Sequence, residues 1–202
     1  MIDTPVPERV VVLYESMFGA TRQIAEAIGE QLRPFADVAV VNCAGAGPDA
    51  LAGADLVVAG GPTHVFGLSS ATTREEARKI AEHSDSGLVF EWVEASHGLR
   101  ELLHELPHPV HPSFFAAFST RSSKGPRLFT GSAARRIDRE LRATGYRPLA
   151  APRDFLVDAT HRLVDGQLAE AAAWGAELAQ AWGRDGRHGM GPKTTGAAVD
   201  AD

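Results

Sequence analysis

An open sheet of parallel strands with helices on both faces is the fold class this sequence predicts. Three observations predict it. Short apolar runs of strand length alternate with longer segments of helical periodicity, the pattern of repeated βα units. Two of those runs, 10–14 and 113–118, are apolar at nearly every position, as strands covered on both faces are. A chain of 202 residues with 44% hydrophobic content is one domain's worth, long enough for a core flanked by two helix layers.

Each element has its own local reason. Arg9–Tyr14 reads as the first strand, and Thr21–Leu32 as its helix, because Ile24, Ala25, Ile28 and Leu32 share one helical face. Asp37–Asn42 is the second strand, an alternating-to-apolar run. Asp55–Gly61 is the third, closed by a glycine pair. Thr72–Glu82 is a polar helix with a thin stripe at Ala77, Ile80 and Ala81. His97–Leu106 is a helix stopped by Pro107. Ser113–Phe118 is the fourth strand. Ser132–Thr144 is a helix with Ser132 as N-cap and Gly145 as its stop. The fifth strand runs Arg147–Ala150, with Phe155–Val157 as its continuation. Gln167–Gly183 closes the fold, with Leu168, Ala171, Leu178 and Trp182 at helical spacing. Residues 1–8 read as an N-terminal extension and 9–183 as the domain. Residues 184–202, rich in Gly, Asp and Ala and without period, read as a disordered tail.

The junction 10–21, VVVLYESMFGAT, carries the chemistry. An apolar strand ends in a short polar loop, and a helix starts at once. Such a loop meets the unpaired N–H groups and positive dipole end of the helix, an anion site. Ser16 and Thr21 add hydroxyls, and Gly19 permits close approach to the backbone. No G-x-x-x-x-G-K-[ST] is present, and no G-x-G-x-x-G follows the first strand. No Lys or Arg lies between Ser16 and Thr21, so a single terminal phosphate suits the loop better than a triphosphate.

Ser16-Met17-Phe18-Gly19-Ala20-Thr21 resembles the flavodoxin phosphate loop, [ST]-x-[TY]-G-x-T, with Phe18 in place of Thr or Tyr. Ser16 to Gly19 also resembles the Ser-Met-Tyr-Gly of the tryptophan-repressor-binding-protein type of quinone reductase. A second stretch, Pro62-Thr63-His64-Val65-Phe66-Gly67 after the third strand, is similar to the Pro-Thr-Arg-Phe-Gly of that type, with His64 for Arg and one extra residue. The resemblance spans about Arg9 to Trp182. It implies a flavodoxin-like, doubly wound, five-stranded parallel sheet in the order 2-1-3-4-5. It also implies FMN as cofactor, its phosphate on Ser16 to Thr21. The flavin ring would lie between Thr63–Gly67 and the loop after the fourth strand, Ser119, Thr120, Arg121 and Ser122. Phe18, Phe66 and Phe129 are the aromatics near enough to stack on it. Ligands of such sheets sit at the carboxyl ends of the strands, where strands one and three part.

On this resemblance the chain is an electron-transferring flavoprotein whose partner is a redox protein or a small electron acceptor. The alternatives are an NAD(P)H-dependent quinone or small-electrophile reductase, an oxidoreductase on the same fold, and a cofactor-free binding module. The stretch 83–112 is long for a simple connection and reads as a lid over such a site. Arg121 and Lys124, close to the ring, predict a flavin easier to reduce than one ringed by acids, by on the order of 0.1 V.

Composition narrows the partners. A net charge of −6 disfavours nucleic acid. No apolar run reaches the ~20 residues of a membrane span, and no secretory signal is visible. The lone Cys43 excludes an internal disulfide. A cytoplasmic monomer or homodimer is expected. Arg121, Lys124, Arg127, Arg135 and Arg136 form a run without an acid between Ser119 and Ile137, read as a solvated basic face. Gly45-Ala46-Gly47-Pro48-Asp49-Ala50 fits G-x-G-x-x-A, but Pro48 removes an N–H donor and a capped turn is the better reading. His104 and His108 have metal-ligand spacing, yet Pro107 breaks their helix, so they read as surface histidines. G-x-S-x-G is absent, which leaves serine hydrolysis without its motif.

Overall fold

The computed structural model describes residues 8–64, 67–83, 89–91, 97–124 and 131–185. Six strands form one parallel sheet: β1 (Arg9–Tyr14), β2 (Asp37–Asn42), β3 (Leu56–Pro62), β4 (Phe114–Ser122), β5 (Arg147–Pro148) and β6 (Arg153–Val157). The helices are α1 (Ala20–Leu32), α2 (Ala71–His83), α3 (Leu99–Glu105), α4 (Ala133–Ala143) and α5 (Gln167–Asp185). The strand order is β2-β1-β3-β4-β5, with β6 also on β4. The 2-1-3-4-5 order is therefore the one expected, and the fifth position is the departure. There β5 pairs Phe114 and Phe115, while β6 pairs Phe118 to Ser122. Pro152, without an N–H, sits in the gap between them.

That offset corrects one expectation. Ser119, Thr120 and Arg121 do not belong to a loop after the fourth strand. They lie within β4, which β6 pairs through to Ser122 on one side while β3 pairs through to Thr120 on the other. Strand length here is set by a partner about 35 residues downstream in sequence, as Ser119 opposite Asp154 shows.

The period of two along each strand sorts the core into two layers. Val11, Leu13, Val57, Ala59, Phe115 and Ala117 face α3 and α4, meeting Leu102, Leu103, Ile137 and Leu141. Val10, Val12, Leu56, Val58, Ala116 and Phe118 face α1 and α5, meeting Ile24, Ile28, Leu178 and Trp182. Phe118, Phe155 and Trp174 form an edge-to-face cluster with centroids 6.1–6.5 Å apart. The Phe118 ring lies over Gly60 of β3, and a Cβ there would sit inside the ring's van der Waals envelope. Both Trp174 and Trp182 are core residues.

The caps follow their sequence signals. The Ser132 hydroxyl accepts from the Arg135 N–H at the start of α4, and Gly145 ends that helix at φ +98°. The G-x-G-x-x-A stretch folds as two short 3₁₀ turns, Cys43–Gly45 and Pro48–Leu51. Among the described residues, no helix is long and apolar enough to cross a membrane. Residues 1–7, the 186–202 part of the tail, and Val65, Phe66, Arg127 and Phe129 fall outside the described residues.

Candidate functional site

β1 delivers its carboxyl end, Tyr14, to a bend that turns straight into α1. Gly19 makes the turn possible at φ +89°, a left-handed conformation that costs other residues roughly 1 kcal/mol or more. The Ser16 hydroxyl folds back to accept from the Gly19 N–H at 3.1 Å, which fixes the loop and leaves its O–H free to donate. The first-turn N–H groups of α1 have no partner four residues earlier, as at any helix start. Thr21 and Thr120 share one hydrogen bond of 2.8 Å across 99 residues, so one of their two protons remains for a ligand.

A cavity of about 410 Å³ opens at this point. Ser16, Met17, Phe18, Ala20 and Thr21 form one wall, Pro62, Thr63 and His64 another, and Thr120 and Arg121 the floor. That volume lies in the range of about 300–1,000 Å³ typical of small-molecule sites. The two sequence motifs thus meet across the gap between β1, β3 and β4, which are neighbours in the sheet.

Three proposed residues sit elsewhere. Gly19 borders the next cavity, beyond Phe18. Ser119 is fully buried beneath the floor, donating to Asp154 at 2.7 Å. Gly67 is bridged to His64 by backbone hydrogen bonds of 2.8 and 2.9 Å and lines a different groove. Thr63 accepts from the Ala133 N–H at 3.1 Å, tying the third-strand loop to the start of α4.

Charge around the cavity differs from the sequence expectation. Arg121 is mostly buried, 3.6 Å from the Asp154 carboxylate, so its charge is largely compensated within the protein. Lys124 is the exposed cation at the rim. Burial lowers the His64 imidazole to a pKa of about 4, with the positive potential of His161 and Arg74 acting in the same sense. His64 is therefore neutral at pH 7, where the resembling pattern carries a permanent cation.

Sequence reasoning missed the loop after β6. The Asp158 carboxylate accepts from Thr160 N, Thr160 Oγ1 and Arg162 N, a turn that places His161 at φ +62°. Those hydrogen bonds, the Thr160 hydroxyl first, hold the Asp158 carboxyl below its ordinary pKa. His161 then packs on Phe18, ring centroids 4.6 Å apart, and separates the first cavity from a second of about 730 Å³. The only local signal was the Asp-Ala-Thr-His turn pattern. In the second cavity Glu91 accepts from Arg22 Nε at 2.6 Å, and its N–H donates to Met17 O at 2.8 Å. Val89–Glu91, the described piece between residues 84 and 96, is thus pinned against the Ser16–Thr21 loop.

Beneath the loop lies a buried polar network, also invisible in the sequence. Glu15, fully buried, accepts from Ser69 Oγ and from Leu99 N at 2.8 Å. Arg74 donates to Ser69 Oγ at 3.0 Å and pairs with Glu101 at 3.1 Å. These contacts lock the residue before Ser16 to α2 and α3.

Solved structures match along nearly the whole domain. The chain has a flavodoxin-like fold. It superposes on a flavodoxin from the domain Archaea with TM-score 0.56 at 21% identity, covering 85% of this chain and 96% of that one. It superposes on oxidised Flavodoxin 1 from Bacillus cereus with TM-score 0.56 at 15% identity, covering 86% and 98%. For a WrbA-like flavodoxin from Agrobacterium tumefaciens the TM-score is 0.52 at 17% identity, covering 88% and 98%. No family model and no curated protein matches the sequence. In the flavodoxin-like frame, the first cavity sits at the carboxyl edge of the sheet, at its switch point.

The residues present fit a flavin mononucleotide. The Ser16–Thr21 cradle offers hydroxyls and helix N–H groups for a monophosphate. The neutral His64 and the apolar Met17 and Phe18 offer walls for a flat heterocycle.

Proposed function

We propose that the protein is an FMN-binding redox protein that passes electrons through a flavin held in the first cavity. One observation carries this reading. The phosphate-type loop, the third-strand loop and the β4 hydroxyls converge on a single concave site of about 410 Å³. Ser16, Ala20 and Thr21 would hold the phosphate, with Thr120 steadying Thr21 from below. Pro62, Thr63 and His64 would border the ring, and Arg121 and Lys124 its far edge. When bound, the flavin supplies one- and two-electron chemistry, and the protein sets its potential by charge and hydrogen bonding. His64, being neutral, contributes a hydrogen bond and no positive charge. Compensation of Arg121 by Asp154 leaves Lys124, among the described residues, as the cation that favours added electrons.

A second reading, reduction of a small electrophile with NAD(P)H as donor, is favoured by the 730 Å³ cavity behind Phe18 and His161. A simple carrier has no need of that space. Its walls mix Val89, Leu163 and Leu168 with Arg22 and Glu91, as a site for an organic acceptor would.

The test is titration of purified protein into FMN, followed by flavin fluorescence and by the visible spectrum. Saturable quenching is expected. Thr120→Val should weaken binding by about tenfold, because Thr21 loses its buried partner. No quenching and no visible band would refute the flavin reading in favour of a cofactor-free binding module. NADPH oxidation with an added quinone separates reductase from carrier.

A further inference from the structure

Among the described residues, the members of the basic run do not form one face. Arg121 and Lys124 line the first cavity, whereas Arg135 and Arg136 line another pocket, which Gly67 borders. There they meet Arg139 of the same helix and Arg100 of α3 around a separate groove of about 360 Å³. We propose that this groove binds the phosphate groups of a nucleotide, the class to which a nicotinamide dinucleotide electron donor belongs.

Four observations carry the proposal. First, the groove is lined by four guanidinium groups and by no carboxylate among the described residues, in a chain of net charge −6. Second, most of that charge is uncompensated. Arg135 and Arg139 are exposed and make no ion pair among the described residues, although they stand at i, i+4, where like charges repel. Arg136 alone is paired, with Glu140 at 2.6 Å. Third, Arg100 is held in place by neutral groups. Its guanidinium donates to the carbonyls of Ser69, at 2.7 Å, and Leu68, so it is oriented while keeping its full charge. Fourth, the start of α4 opens into the same groove at Gly131 and Ser132, adding its dipole to the arginines.

The chemistry of that set selects its ligand. Guanidinium forks bind phosphate oxygens two at a time, and several forks around one concave volume match a dianionic phosphate better than a lone carboxylate. The position adds a role. His64 lines the first cavity and Gly67, joined to it by two backbone hydrogen bonds, lines the groove, so a dinucleotide with its phosphates on the arginines would lie beside the proposed site of electron transfer. That role as donor rests on the flavin reading above; nucleotide binding itself does not.

Calorimetric titration of the full chain with NADPH and with adenosine 2′,5′-bisphosphate at low salt tests the proposal. The variants are Arg135→Ala/Arg139→Ala, both exposed and outside the core, and the charge-retaining Arg135→Lys/Arg139→Lys. Saturable binding of both probes is expected. The double alanine variant should lose roughly tenfold to a hundredfold in affinity, and the lysine variant less. Flavin content, read at its visible band in the same samples, should be unchanged in both. Absence of binding by either probe, or equal affinity of wild type and alanine variant, overturns the proposal. So does arginine-dependent binding of polyglutamate in place of the nucleotides. A colourless protein that binds adenosine 2′,5′-bisphosphate through these arginines would uphold the groove and remove only the flavin reading.

Discussion

Lowering the pH from 7 to 4 should destabilise the protein through one imidazole, His64. In the folded chain burial takes water away from its charged form, and nearby His161 and Arg74 add positive potential, so its pKa falls from 6.5 to about 4. Above pH 6.5 neither folded nor unfolded chain binds this proton. Between 6.5 and about 4 the unfolded chain binds it and the folded chain does not, so stability falls as pH falls. Below about 4 both states are protonated and the loss stops. At about 1.4 kcal/mol per pH unit, the gap amounts to at most about 3.5 kcal/mol. The assay is urea unfolding of wild type and His64→Asn at pH 7, 5.5 and 4. Carboxylates titrate alike in both, so the difference between the two curves isolates His64. Wild type should lose up to about 3 kcal/mol more than the variant over this span. Parallel curves, or an imidazole resonance titrating near its unperturbed value, would refute the reasoning. They would also return a positive charge to the first cavity near neutral pH.

Two further substitutions probe the frame that holds the site. Arg74→Ala should cost about 3–5 kcal/mol by leaving buried Glu15 without its cationic neighbour, read as a drop in urea midpoint; a loss below about 1 kcal/mol would mean that water replaces the guanidinium. Gly60→Ala should cost about 1–3 kcal/mol through overpacking against Phe118. It should also disturb near-ultraviolet circular dichroism, because Phe118 touches the Trp174 cluster; an unchanged thermal midpoint would show that the ring can move aside.

Much of the fold was legible because its signals are local. The stripe Ile24, Ala25, Ile28 and Leu32 announces α1 within four turns, Ser132 and Gly145 mark the two ends of α4, and the apolar run at 113–118 marks a strand covered on both faces. The candidate phosphate loop was legible for the same reason. A strand end, a glycine and a helix start are consecutive in the chain. What stayed hidden depends on lateral meetings. The extension of β4 through Arg121 needed β6 beside it, and the compensation of Arg121 needed Asp154 on that strand. The Asp158 turn is readable as a turn, but nothing near it in sequence says that His161 will rest on Phe18.

The sequence by itself determined the alternation of strands and helices, the caps, the two-sided burial of the central strands and the anion-suited turn at Ser16 to Thr21. Each of those depends on neighbours within a turn of helix or a step of strand. Only the tertiary structure decided that Thr21 would meet Thr120, that Glu15 would be enclosed by Ser69, Arg74 and Leu99, and that one basic run would divide between two cavities. The physical reason is that burial and charge compensation are properties of packed surfaces. A side chain's pKa and free hydrogen-bonding capacity are set by whichever distant residue the sheet order brings beside it.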